Sequence, residues 1–174
     1  MPGPFLIFRE GYNGKDGSGK SYLATQLAKE LGHSVIHFDD YLIKNQNSYF
    51  DSLKLDNLRK AITETPKPLI VEGVCLLTIR EALRFGDGFN VYVKRMSPAG
   101  YWADEDECSI SESLDVYIQQ KQEAINIAAT ISFMGISGND ETLEFPALAR
   151  EIIEYHYVYK PHKISDAIYC RVND

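Results

Sequence analysis

A chain of 174 residues has the length of one globular domain, and its 44% hydrophobic and 25% charged residues are ordinary for such a domain. The net charge of −7 disfavours a nucleic-acid partner, because phosphate backbones are bound by basic surfaces. The three cysteines lack C-x-x-C spacing, which predicts free thiols and neither a disulfide framework nor a zinc site. Without a signal-peptide pattern or an apolar run of ~18 residues, we expect a cytoplasmic protein that binds no membrane.

The hydrophobic pattern predicts strands that alternate with helices along the whole chain. Strands are predicted at residues 4–8, 34–38, 69–71, 89–93 and 166–171. Helices are predicted at residues 20–31, 52–63, 76–85, 113–133 and 145–159. This alternation is typical of an α/β protein with one parallel sheet, in which binding sites lie at the carboxyl ends of the strands.

One motif joins the first predicted strand to the first predicted helix. Residues 14–21, GKDGSGKS, fit the phosphate-binding pattern G-x-x-x-x-G-K-[ST] without a mismatch. Glycines let backbone N–H groups approach phosphate, and the positive end of the following helix favours the same anion. Lys20 is predicted to reach the β- and γ-phosphates, and Ser21 to ligate Mg²⁺. The predicted nucleotide-binding residues are Gly14, Lys15, Asp16, Gly17, Ser18, Gly19, Lys20, Ser21 and Tyr22.

Carboxylates follow the next two predicted strands. Asp39 and Asp40 come after the second strand, and we favour Asp39 as the group that accepts a hydroxyl proton or holds a metal-bound water. Glu72 ends the third strand, where a carboxylate can serve Mg²⁺ through water. Each of these acids can also be a turn or capping residue. Asp51 can either cap the second helix or bind a vicinal diol, and His37 is interpreted as packed in the sheet.

These segments share the order and spacing of one family. Residues 14–21, 35–41 (VIHFDDY), 49–51 (YFD) and 71–73 (VEG) resemble the uridine kinase and nicotinamide riboside kinase group of P-loop small-molecule kinases. Phosphoribulokinase and bacterial pantothenate kinase are wider relatives of that group. The resemblance covers residues 5–77 and implies a three-layer fold, with a five-stranded parallel sheet in the order 2-3-1-4-5 and helices on both faces.

The resemblance also implies a role for individual residues. Asp39 would orient or deprotonate an acceptor hydroxyl, and Ser21, Glu72 and Asp39 would serve Mg²⁺. Tyr41 and Asp51 would lie beside the acceptor, with Asp51 on ribose hydroxyls. The implied activity is the ATP- and Mg²⁺-dependent phosphorylation of a hydroxyl of a small metabolite, in the first place a nucleoside.

The segment after the fourth predicted strand departs from that family. Its members have an arginine-rich lid there. In this chain a lid-like irregular segment is predicted at about residues 94–112. Residues 96–120, which overlap it, contain six acids and no Lys or Arg. A carboxylate about 4 Å from a phosphate costs on the order of 4 kcal/mol at an effective dielectric near 20. Arg95 is therefore the candidate catalytic cation of the lid. Other candidate cations are Lys15, Lys121 and Arg150.

Several interpretations stay open at this point. Turnover could be weak, or the acidic segment could face a cationic acceptor such as nicotinamide riboside. The acceptor could be a non-nucleoside such as pantothenate or a sugar phosphate. The chain could also be a nucleotide-binding regulatory protein with a degenerate lid. A GTPase switch is not expected, because the chain contains no N-K-x-D element for guanine recognition.

Overall fold

The computed structural model of the protein describes residues 5–10, 19–43, 48–86, 88–133 and 143–172. Within these residues, five strands form one sheet in the order β2-β3-β1-β4-β5, and every neighbouring pair is parallel. The strands are β1 (Phe5–Glu10), β2 (Ser34–His37), β3 (Leu69–Gly73), β4 (Gly88–Met96) and β5 (Ala167–Val172). The observed order is the one that the resemblance implies.

Helices alternate with the strands. They are α1 (Lys20–Leu31), α2 (Tyr49–Ser52), α3 (Leu55–Glu64), α4 (Leu76–Leu83), α5 (Glu105–Cys108), α6 (Leu114–Phe133), α7 (Ala147–Tyr159) and α8 (Pro161–Ile164). A short 3-10 turn, Phe38–Tyr41, follows β2 directly. Among the helices of the described ranges, none is long and apolar enough to cross a membrane.

The core lies on both faces of the sheet around β3, which is buried along its whole length. Because side chains of a strand alternate between its faces, Leu69 and Val71 join one hydrophobic cluster and Ile70 joins another. The first cluster includes residues of α3, α4 and α7, and the second is formed with Ala24 and Ala28 of α1. Helices therefore cover both faces, as in a three-layer α/β protein.

Helix α1 has the predicted bounds, and glycines stand at both of its ends. Gly19 precedes the helix with φ +83°, and Gly32 ends it with φ +65°. Both values lie in the left-handed region that side chains with a Cβ rarely adopt. The pattern of helix-forming residues between two glycines is why this element could be predicted from the sequence.

The helix predicted at residues 52–63 is interrupted. Leu53 forms an isolated antiparallel bridge with Leu42, which separates α2 from α3. The prediction that Asp51 caps this helix is wrong. Ser48 occupies the capping position of α2, and its Oγ accepts a hydrogen bond from the backbone N–H of Asp51 at 3.3 Å.

The segment at residues 94–112 is more ordered than the lid-like irregular stretch that was predicted. Strand β4 continues to Met96, and Trp102 pairs with Met96 in an isolated bridge. Trp102 and Cys108 are buried against Tyr92 of β4, with the Tyr92 and Trp102 rings edge to face at 5.8 Å. The acidic segment is thus anchored to the sheet by Trp102 and Cys108, which flank the run of four acids at residues 104–107.

Candidate active site

A cleft of about 400 Å³ opens where the first turn of α1 meets the carboxyl ends of β2 and β3. It is lined by Ser21, Tyr22, Thr25, His37, Asp39, Asp40 and Glu72. Four of these residues, Ser21, Tyr22, Asp39 and Glu72, are site residues predicted from the sequence. Their common location follows from the parallel sheet, which places the ends of neighbouring strands at one edge.

Glu72 is the most deeply buried acid of the cleft, with 1% of its side chain exposed. Its Oε1 lies 2.5 Å from Nδ1 of His37, and its Oε2 lies 4.0 Å from Nζ of Lys20. The Oε2 atom makes no hydrogen bond within the part of the chain that is described. A buried carboxylate oxygen without a donor is costly, so this oxygen is suited to a ligand that carries positive charge.

His37 lies in β2, which agrees with its interpretation as a residue packed in the sheet, but it also contributes to the candidate site. It lines the cleft and binds Glu72 directly. The register of β2 on β3 places the two residues opposite each other as Cα partners. This contact cannot be predicted from the second strand alone, because Glu72 lies on the neighbouring strand β3.

Asp39 lies in the 3-10 turn after β2 and is exposed. The hydroxyl of Tyr49 donates a hydrogen bond to its Oδ1 at 2.6 Å. Burial raises the pKa of Tyr49, and the charge of Asp39 and this hydrogen bond raise it further. Tyr49 therefore keeps its proton and acts as a fixed donor to Asp39. Tyr49 belongs to the YFD segment of the resemblance, but within that segment only Asp51 was given a role.

Glu151 of α7 holds the segment that carries Tyr49. Its Oε2 accepts a hydrogen bond from the backbone N–H of Tyr49 at 2.6 Å, and its Oε1 accepts one from Phe50 at 2.9 Å. Both N–H groups lie in the first turn of α2, where they have no partner within the helix. A side chain about a hundred residues away in sequence thus fixes the backbone from which Tyr49 reaches Asp39.

The packing of Phe38 against Gly73 explains why a glycine follows Glu72. A Cβ at this position would lie 2.6 Å from Cδ2 and 2.7 Å from Cβ of Phe38. Phe38 is fully buried and packs over the end of β3. The missing side chain of Gly73 therefore lets the turn after β2 approach β3, which brings Asp39 to the cleft that Glu72 also lines.

The remaining predicted site residues fall into two groups. The prediction for Gly14, Lys15, Asp16, Gly17 and Ser18 falls outside the described residues. Tyr41 is half-buried against the core, and Asp51 is exposed on α2. Neither of the two is among the residues that line the cleft, and their role beside an acceptor stays a prediction.

Arg95, the candidate cation of the lid, is paired with Asp104. Its Nη2 donates to Oδ1 of Asp104, whose side chain is 2% exposed. Burial raises the pKa of Asp104, while the hydrogen bond and charge of Arg95 act in the opposite direction. A buried carboxylate thus engages Arg95, which is not among the residues that line the cleft.

Two further candidate cations also contact acids. Lys121 lies 3.6 Å from Asp106 and 3.3 Å from Glu107, and Nε of Arg150 lies 2.7 Å from Glu154. Lys15 falls outside the described residues. On helix α6, Lys121 therefore neutralises part of the acidic segment and does not extend from it as a free charge.

The cleft offers oxygen donors of the kind that Mg²⁺ prefers. Glu72 Oε2, the Ser21 hydroxyl and the Asp39 carboxylate belong to residues that line it. In the described residues, no group of three or more His, Cys, Asp or Glu side chains could hold a metal ion by itself. Mg²⁺ in triphosphate sites takes one or two protein oxygens and completes its shell with phosphate and water, so these residues fit that group.

Comparisons with known proteins add little to this description. The chain matches no family model and no curated protein. It is similar to a gluconokinase from Sinorhizobium meliloti 1021, with 12% identity and a TM-score of 0.38 over 92% of this chain and 95% of that one. It is also similar to a sugar kinase from Janibacter sp. HTCC2649, with 16% identity and a TM-score of 0.38 over 88% and 91%. Likenesses at this level do not establish a shared activity.

Proposed function

We propose that this chain is a P-loop kinase domain, spanning residues 1–174, that transfers the γ-phosphoryl group of ATP to a hydroxyl of a small metabolite. The observation that carries the proposal is the convergence of two kinds of group at one sheet edge. Lys20 and Ser21, at the start of α1, belong to the phosphate-binding motif. Asp39 and Glu72 supply carboxylates from the ends of the neighbouring strands.

The proposed roles follow from the contacts of each side chain. The uncapped N-terminus of α1 and the ammonium of Lys20 hold the phosphates. Asp39 accepts the proton of the attacking hydroxyl through Oδ2, because Tyr49 occupies Oδ1. Ser21, Glu72 and Asp39 are the residues that would hold Mg²⁺, directly or through water. When bound, Mg²⁺ neutralises the charge on the transferring phosphoryl group.

The acceptor that the resemblance favours is a nucleoside, with Tyr41 and Asp51 beside its ribose. Asp51 is exposed on α2 and not among the residues lining the cleft, which keeps a non-nucleoside acceptor such as pantothenate or a sugar phosphate open. The pairing of Arg95 with Asp104 keeps a third function open, that of a nucleotide-binding regulatory protein. The three functions differ in which molecule, if any, gains a phosphoryl group.

A panel experiment tests the proposal. The protein is incubated with ATP, Mg²⁺ and, one at a time, nucleosides, vitamins, sugars, sugar acids and sugar phosphates, and the products are examined by mass spectrometry. The proposal expects one acceptor class to gain the mass of one phosphoryl group. Binding of ATP without modification of any acceptor would favour the regulatory function. No binding of ATP at all would contradict the proposal.

A further inference from the structure

We infer that Arg171, at the end of the edge strand β5, binds the phosphate chain of the nucleotide and supplies the cation that the acidic segment lacks. The inference rests on the proposed function, because it needs a nucleotide at the start of α1. Arg171 does not belong to any motif of the sequence. The sheet brings it to the site from the far end of the chain.

The contact between Arg171 and Gly19 carries the inference. A Cβ built on Gly19 would lie 2.9 Å from both Cδ and Cζ of Arg171, and it would also meet Nη1. The guanidinium group therefore lies directly against the backbone of Gly19, the residue that precedes α1. Gly19 is one of the fixed glycines of the phosphate-binding pattern, so any side chain here would displace the arginine.

The position of Arg171 in the sheet agrees with this contact. In the parallel register, Arg171 is the partner of Arg95, one residue before the end of β5. The two arginines thus reach the same carboxyl edge of the sheet from neighbouring strands. Arg95 contacts the buried Asp104, and the side chain of Arg171 contacts Gly19.

Three sources of positive potential meet at this point. The N-terminus of α1, a helix of twelve residues, has no side-chain cap, and Lys20 is its first residue. The guanidinium of Arg171 is the third, and its planar fork can bind two phosphate oxygens at once. Such convergence of N–H groups and cations is the arrangement that binds phosphate.

A second observation indicates a ligand beside Lys20, the residue that directly follows Gly19. Glu72 is 1% exposed, lines the cleft and lies 4.0 Å from Lys20, and its Oε2 has no hydrogen-bond partner in the residues described. This oxygen is suited to a hydrated divalent cation, which would accompany the phosphates. The buried acid and the arginine therefore indicate the same ligand, a nucleotide triphosphate with its metal.

Isothermal titration calorimetry with MgATP and MgADP tests the inference on the whole chain. Removing a charge-assisted, bidentate contact in Arg171→Met should weaken both ligands on the order of 10- to 100-fold. Arg171→Lys keeps the charge without the fork and should lie between Arg171→Met and the wild type. Arg84→Met is the matched control, because Arg84 is exposed at the end of α4, and it should bind as the wild type does.

The outcomes separate the inference from the proposed function. If the wild-type protein binds neither nucleotide, the proposed function fails. If the wild type binds MgATP and Arg171→Met binds it within about twofold, the inference is overturned and the proposed function stands. Thermal unfolding verifies that each variant folds. If Arg171→Met does not fold, the affinity of Arg171→Lys for MgATP tests the inference instead. Wild-type affinity in Arg171→Lys would contradict a bidentate contact between Arg171 and the phosphates.

Discussion

The hydroxyl of Tyr49 donates a 2.6 Å hydrogen bond to Oδ1 of Asp39, joining a buried residue to an exposed carboxylate. Tyr49 is 7% exposed and packs in the core, so its hydroxyl has a fixed position. Among the described residues, no other side chain donates a hydrogen bond to the carboxylate of Asp39. One oxygen is thus anchored, and Oδ2 is available to an acceptor hydroxyl.

Tyr49→Phe should lower the turnover number for phosphoryl transfer about 10-fold, because the carboxylate loses a charge-assisted hydrogen bond that fixes its orientation. The Kd for MgATP should stay unchanged, since Tyr49 is not among the residues that line the cleft. Steady-state kinetics and calorimetry measure the two quantities. Tyr101→Phe, at an exposed tyrosine, is the control. Wild-type turnover in Tyr49→Phe would show that the hydrogen bond does not position Asp39.

Glu151→Gln should lower the free energy of unfolding by about 1–3 kcal/mol, because an amide NH₂ would replace one of the oxygens that accept from Tyr49 and Phe50. Glu154→Gln, one turn further along α7, should change it by less than about 1 kcal/mol, because its ion pair with Arg150 is exposed. Urea unfolding measures both. The effects of Glu151→Gln and Tyr49→Phe on turnover should not be additive, since both act on Asp39. Additive effects on turnover would show that Glu151 does not act through Tyr49 and Asp39.

His37→Leu should destabilise the protein by about 3 kcal/mol, because Glu72 would remain buried without its donor. The double variant His37→Leu with Glu72→Leu should be more stable than His37→Leu alone, since an apolar pair removes the uncompensated acid. The double variant, which lacks the carboxylate, should have lost phosphoryl transfer if Glu72 serves the metal. Equal stability of the single and double variants would mean that the short contact with Glu72 contributes little.

His156 should make the protein sensitive to acid. Its side chain is 1% exposed, its Nδ1–H donates to the carbonyl of Ile152 at 2.7 Å, and Tyr92 donates to its Nε2 at 3.3 Å. Burial lowers the pKa of His156 to about 4; the hydrogen bond to Ile152 opposes this effect, and the charge of His162 adds to it. Between the unfolded pKa near 6.5 and this value, the unfolded chain binds the proton and the native protein does not.

The free energy of unfolding should therefore fall by about 3 kcal/mol from this group as the pH falls from 7 to 4. His156→Asn cannot titrate and should lack this part of the loss. Urea unfolding of both proteins across that range isolates His156 together with its interaction with His162, because groups that do not interact with His156 contribute equally to each. Parallel curves for the two proteins would contradict the assignment of a neutral buried histidine.

The sequence was sufficient for features that depend on local pattern. Helix α1 was predicted with its observed bounds because helix-forming residues stand between two glycines, and the sheet edge follows from the alternation of strands and helices. Asp39 and Glu72 were predicted to share a site because both come at strand ends. The contacts that position them were not predicted. His37 meets Glu72 across two strands, Glu151 lies about a hundred residues from Tyr49, and the hydrogen bond from Tyr49 to Asp39 depends on how the segment ten residues further along folds back.

The break between α2 and α3 shows the same limit. The apolar spacing of residues 52–63 predicts one helix. Leu53 instead forms an antiparallel bridge with Leu42, and this contact overrides the local helical pattern. In the same way, nothing in the spacing of Arg95 and Asp104 indicates that a buried acid engages the predicted lid cation.

The most direct test of the account is the transfer of the γ-phosphoryl group of ATP by Asp39→Asn, followed by mass spectrometry of the acceptor found in the panel. Asp40→Asn, in the same exposed turn, is the matched variant. Loss of a general base should reduce the rate of Asp39→Asn by about 100-fold or more, with MgATP binding retained, while Asp40→Asn loses about 10-fold at most. Transfer by Asp39→Asn at the wild-type rate would contradict the central claim that Asp39 receives the proton of the acceptor hydroxyl.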